Sequence, residues 1–142
     1  MIGEVCTKPV VTVSPEATIH EAAHRMWTKK VGALVAVDDA GTPLGILTDR
    51  DIAVKVVAQG KDPAKVQVGS AIRKNPIVIR EDQGILDATK ILSKRGVRRL
   101  PVVGKNGKLV GIISLDDLLM LLGTEMHHIA SALASELGRA KI

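Results

Sequence analysis

The chain has 142 residues and a formal net charge of +5; 46% of it is apolar, and Trp27 is its single Phe, Tyr or Trp. That length supports one compact domain with a sizeable core, and the core must be aliphatic. No apolar run approaches the roughly 18–20 residues of a membrane span. The start, Met1-Ile2-Gly3-Glu4, lacks the basic and apolar regions of a signal peptide, and Cys6 has no internal disulfide partner. We therefore expect a cytoplasmic protein with no membrane partner.

Dispersed lysines and arginines, without aromatics to stack bases, argue against a nucleic-acid partner. The basic pairs Lys29-Lys30 and Arg98-Arg99 suit a small-anion site better. In chain order, Val10 to Val13 reads as a β-branched strand ending at the turn Ser14-Pro15. Thr18-Ile19-His20-Glu21 has capping-box spacing and opens a helix to about Thr28, with Ile19, Ala22, Ala23 and Met26 on one face. Strands follow at Ala33 to Val37 and Pro43 to Leu47, joined by a turn at Asp38-Asp39-Ala40-Gly41. A helix then runs from Thr48 to about Gln59, and Lys61 to Ser70 reads as a joint.

The pattern then starts again: a strand near Ile77 to Ile79, a helix Ile85 to Arg95, and strands Leu100 to Val103 and Leu109 to Ile113. Asn106-Gly107 predicts a tight hairpin turn, usually of type I′, between these last strands. The next helix is expected from Ser114 to about Leu122-Gly123. Beyond it, Met126, Ile129, Ala130, Leu133 and Leu137 form an apolar stripe that predicts a separate amphipathic helix, a cap or a partner contact.

The order recurs because the sequence does. Gly45-Ile46-Leu47-Thr48-Asp49-Arg50-Asp51 returns 66 residues on as Gly111-Ile112-Ile113-Ser114-Leu115-Asp116-Asp117, and ten identities fall in the 46 gapless pairs that begin at residues 8 to 53. A unit of this length struggles to close a core alone and buries its apolar face against its copy. We expect an α+β fold of two pseudo-symmetric repeats, each with a small sheet and two helices. The expected segments are 1–62, 63–123 and a C-terminal helix or tail, 124–142.

Twofold occurrence of Gly-apolar-apolar-Thr/Ser-x-x-Asp, with Val-x-x-Leu-x-x-Val upstream, resembles the cystathionine-β-synthase (CBS) domain pair, or Bateman module, over about residues 5 to 122. The resemblance implies two clefts that bind adenosine-containing ligands: AMP, ADP, ATP, S-adenosylmethionine or NAD-type dinucleotides. It implies that Asp51 and Asp117 bind ribose hydroxyls and that Thr48 and Ser114 contact phosphate or ribose. Gly32 and Ala33, like Arg98 and Arg99, match positions lining the clefts near the phosphate. Val11 and Ile77 match the region holding the base, and Ile46 and Ile112, inside the motifs, complete the set of binding candidates.

Physical chemistry agrees with those roles. An ionised Asp is an acceptor that can take both hydroxyls of a ribose. Thr48 and Ser114 stand where a strand becomes a helix, so free N–H groups and the helix dipole favour phosphate. Arg can clamp phosphate through two N–H groups where Lys cannot. If strand alternation holds, Arg98 and Arg99 point oppositely and one dominates. Gly45 and Gly111 leave room for close backbone approach. Gly32-Ala33 standing where the second copy has Arg98-Arg99 makes the clefts unequal, and Ala71-Ile72-Arg73 lacks the Met-Thr common in the family.

Plainer readings compete. Thr48-x-x-Asp51 and Ser114-x-x-Asp117 also serve as capping boxes, and Arg50 and Asp116 suit an exposed or mutually paired position. His20 and His24, four apart, lack a third metal ligand, and His127-His128 point apart on a helix, so no metal is expected. Trp27 is either core or an interface between modules, and Cys6 is a small filler. With no triad, metal cluster or phosphate loop, no enzyme and no required cofactor are expected. The function that fits is a regulatory sensor that binds an adenine nucleotide, forms a disc-shaped homodimer and signals to a regulated protein by population shift. The alternative is a structural dimerisation scaffold with degenerate, unoccupied clefts.

Overall fold

The structure is a computed structural model and describes residues 1–140. Its first half contains a short helix α1 (Ile2–Val5), strand β1 (Thr12–Val13), helix α2 (Ile19–Lys29) and strands β2 (Ala33–Val37) and β3 (Pro43–Thr48). Helix α3 begins as the turn Asp49–Asp51 and continues as a π-helix, Ile52–Val57. The second half repeats the plan with α4 (Val68–Ala71), β4 (Ile79–Arg80), α5 (Ile85–Arg95), β5 (Arg99–Val103), β6 (Leu109–Ser114) and α6 (Leu115–Ala140). The fold is α+β, with two sheets ordered β1-β2-β3 and β4-β5-β6. In each, the first pair is parallel and the second antiparallel, and the registers match: Ala33 faces Thr48 as Arg99 faces Ser114.

Two aliphatic cores form, and each borrows from the other half. Ile2, at the start of the chain, is fully buried with Ile79, Ala88, Leu100, Ile113 and Leu118 of the second half. Val68 and Ala71 are buried with Val13, Ile19, Leu34 and Leu47 of the first. The exchange is symmetric in its backbone bonds. Gly3 N–H donates to Glu81 C=O at 2.9 Å as Gly69 N–H donates to Pro15 C=O at 2.9 Å. Neither half closes its core without the segment that crosses from the other, which locks the repeats into one body.

α2 and α5 start and stop where their sequences dictate. The Thr18 hydroxyl accepts from Glu21 N–H, and the Glu21 carboxylate from Thr18 N–H. α5 ends in a left-handed Gly96 (φ 64°); the equivalent residue of α2 is Lys30 (φ 55°), a strained choice for a residue with a Cβ.

Several expectations need correction. The joint at Lys61 to Ser70 runs into a helix, α4, and the helix expected as far as Gln59 is mostly π. Its Ile52, Val54, Val56 and Val57 are β-branched and crowd a regular α-turn. The Asn106-Gly107 turn is not type I′, which needs two left-handed central residues, whereas here Gly107 (φ 77°) is left-handed and Asn106 is not. A longer loop closes instead, with Gly107 N–H donating to Gly104 C=O at 3.0 Å. No break occurs at Gly123: α6 is one 26-residue helix, because a single glycine costs only about 1 kcal/mol there. Residues 141–142 of the expected tail lie outside the described residues. No described helix is long and apolar enough to cross a membrane.

Candidate ligand-binding site

Both motifs build the same strand-to-helix corner. Thr48 N–H donates to Asp51 Oδ2 at 3.0 Å while Asp51 N–H donates to Thr48 Oγ1 at 3.1 Å. Ser114 and Asp117 make the same exchange at 2.9 and 3.0 Å. The hydroxyls and one oxygen of each carboxylate are thus engaged in capping, and the second carboxylate oxygen distinguishes the two corners. Asp51 Oδ1 lies 3.3 Å from Lys55 Nζ, which also donates to Ala71 C=O at 3.1 Å. Asp117 has Leu121 at the position corresponding to Lys55.

A cleft of about 430 Å³ opens in front of Asp51, between the halves. The first half supplies Gly45, Ile46, Asp51 and Lys55, and the second supplies Ile77, Arg95, Val97 and Arg99. The crossing segment adds Arg73, Asn75 and Pro76. Four cationic side chains and one carboxylate therefore share an aliphatic pocket, a combination suited to a polar, anionic, partly apolar ligand. A larger groove, about 660 Å³, runs along α2 past His20, His24 and Arg25, but it draws on the first half alone.

Of the residues singled out from sequence, Asp51, Ile46, Ile77 and Arg99 meet in the cleft. Thr48 stands behind Asp51 as its cap. Arg98, in the bend before β5, turns outward to Asp116 at 3.2 Å on the surface, so Arg99, the first residue of β5, is the member of the pair that faces the cleft. Asp116 thus pairs with Arg98 rather than Arg50. Gly32 lies beside Asp49, whose N–H donates to Gly32 C=O at 3.0 Å and whose Oδ2 would stand 3.1 Å from a Cβ on Gly32; Ala33 faces Thr48 across the β2–β3 pair. Val11 packs on the first core, its carbonyl accepting from Val35 N–H. On the other side, Ile112 pairs with Thr7 through two backbone bonds, and Asp117 lines a separate hollow with Val5, Met120 and Leu121.

Lys55, Arg73, Asn75 and Arg95 escaped the sequence reading. The same 66-residue offset that revealed the repeat carries their signal, because it sets Lys55 against Leu121, Arg73 against Thr7 and Asn75 against Pro9. The close approach expected at the motif glycines is made by the crossing segments. A Cβ on Gly45 would lie 2.9 Å from Arg73 C=O, and one on Gly111 would lie 2.4 Å from Cys6 Sγ. Burial there raises the Cys6 thiol pKa; Lys8 opposes the shift, and Glu81 and Asp117 add to it. Trp27 is 77% exposed, which rules out the core reading, and meets His24 edge-on at 5.6 Å. Among the described residues, no three of His, Cys, Asp and Glu come together as a metal site.

The model of the CBS domain matches this chain twice, at residues 2–58 and 68–124. The chain belongs to the CBS domain family. It is 38% identical over 117 residues to the CBS domain-containing protein YhcV of Bacillus subtilis, covering 82% of this chain and 81% of that one. It is 39% identical over 120 residues to MK0525 of Methanopyrus kandleri, covering 84% of this chain and 61% of the longer relative. Among solved structures it resembles the CBS domain pair of MJ0100 in complex with 5′-methylthioadenosine and S-adenosyl-L-methionine. There the TM-score is 0.78 at 29% identity, with 88% and 97% of the chains covered. The structure of CBSX2 in complex with AMP gives 0.75 at 26% identity, with the same coverage. The repeats described above are thus two CBS domains, arranged as in pairs whose solved structures hold adenosine compounds.

Proposed function

We propose that this CBS pair is a regulatory sensor whose Asp51 cleft binds an adenosine nucleotide through its ribose and phosphates. The observation that carries this reading is the convergence of Asp51 with Lys55, Arg73, Arg95 and Arg99 on one cleft spanning both halves. Asp51 Oδ1 accepts the ribose hydroxyls, in competition with Lys55. The released ammonium then joins the three guanidinium groups around the phosphates, where charge-assisted hydrogen bonds are strongest. Ile46, Ile77 and Val97 supply apolar surface for the base.

A ligand so held bridges the first half to the second and favours one relative setting of the two, which is a population shift. The output passes to a separate regulated protein, and the exposed Trp27 face serves a homodimer. No residue has a catalytic role in this reading, no cofactor is required, and the protein works in the cytoplasm. A scaffold with empty clefts draws support from the capping boxes, since Thr48, Ser114 and both carboxylates already have structural employment.

Calorimetric titration against ATP, ADP, AMP, NAD and S-adenosylmethionine, with GMP as control, separates the two. The sensor reading expects saturable binding of adenine compounds, tighter for ATP than for AMP and weakened by salt, because four cations face the added phosphates. Absence of heat and of thermal stabilisation with all of them would establish the scaffold.

A further inference from the structure

Beyond the body of the fold, residues 122–139 of α6 are exposed throughout. Leu122, Met126, Ile129, Leu133 and Leu137 stand on one face of this segment, each 48–65% exposed. Their spacings of four, three, four and four residues make a seam of the width used between paired helices. An unpacked helix of this length is marginal in water, and it gains stability when its apolar stripe is covered.

We propose that this stripe pairs with the same stripe of a second copy, the two helices antiparallel and centred near Ala132. The charges favour that occupant. Glu125, Glu136 and Arg139 are the only Asp, Glu, Lys or Arg in the segment, so a strongly charged partner finds few counter-charges. Glu125 and Arg139 lie seven residues either side of Ala132, on the same flank of the stripe at 100° per residue. An antiparallel pair sets Glu125 of each copy beside Arg139 of the other, twice over, as a self-complementary two-fold contact requires. A parallel pair would put these flanks on opposite sides of the seam and leave Glu125 and Arg139 unpaired. Ala132, at the middle of that flank, is small enough to let the helices approach. This surface is distinct from the Trp27 face, and it does not depend on nucleotide binding.

Sedimentation equilibrium of the full chain tests the contact. The double variant Ile129→Glu/Leu133→Glu replaces exposed side chains and should leave the body folded while halving the mass of the assembly. Trp27→Ala should leave the α6 contact intact. Spin labels at Glu125→Cys, Ala132→Cys and Arg139→Cys, each in a Cys6→Ala chain, report orientation. In the antiparallel pair the label-to-label distance is short at 132 and longer at 125 and 139, where about 14 residues of helix rise, roughly 21 Å, separate the two labels along the axis. Equal distances at the three positions would overturn the orientation. An unchanged mass in the double variant would overturn the contact. So would a wild type of single-chain mass that binds phosphatidylcholine/phosphatidylserine vesicles through this face.

Discussion

The two motif corners are superposable in their capping bonds and opposed in their chemistry. In front of Asp51 stand Lys55, Arg73, Arg95 and Arg99; the residues 66 positions away from these are Leu121, Thr7, Lys29 and Ala33. One corner faces a cleft with four cations; of the corresponding positions in the other copy only Lys29 is cationic, and it lines the groove along α2. Asp117 accordingly lines a hollow with Val5, Met120 and Leu121. The repeated residues, Thr48/Ser114 and Asp51/Asp117, build the strand-to-helix turn, whereas the unrepeated ones set the charge and polarity that each turn faces. The motif that occurs twice is therefore a structural corner first, and the chemical difference between the two hollows lies where the copies differ.

The largest effect is expected at Asp51. Asp51→Ala should cost nucleotide binding about 100-fold, in line with charge-assisted bonds of about 1.5–3 kcal/mol each, and titration calorimetry checks it. Next comes Gly111→Ala. Its Cβ would lie 2.4 Å from Cys6 Sγ, and overpacking of this kind costs about 1–3 kcal/mol. Thermal unfolding should show that loss, and Cys6→Ala in the same chain should restore part of it.

Arg99→Ala should weaken ATP about tenfold, and AMP less, flattening the salt dependence of binding; Arg98→Ala should do neither. The smallest effect is expected where α2 and α5 end. Lys30 (φ 55°) takes the left-handed position that Gly96 fills in the other copy. Lys30→Gly should stabilise the protein by about 1 kcal/mol in urea unfolding.

Much of this was legible in the sequence. The offset of 66 residues, the capping boxes and the aliphatic periodicity give the two sheets, the ends of α2 and α5, and the corners at Asp51 and Asp117. The split between Arg98 and Arg99 falls at the start of β5, with Arg98 in the bend before the strand and Arg99 its first residue. What stayed hidden depends on the crossing of the halves. Nothing local says that Ile2 is buried in the second core or Val68 in the first, so α1 and α4 went unread. Arg73 and Lys55 lie far from each other in sequence and meet only because the crossing segment runs past α3. The continuous α6 was misread because Gly123 carries a stop signal that a long, otherwise helix-favouring segment overrides.

The most direct test is calorimetric titration of ATP into the wild type, Asp51→Ala and Asp117→Ala. One strong site per chain is expected, lost in Asp51→Ala and retained with little change in Asp117→Ala. Strong binding that survives Asp51→Ala, or that falls equally in both variants, would contradict that expectation.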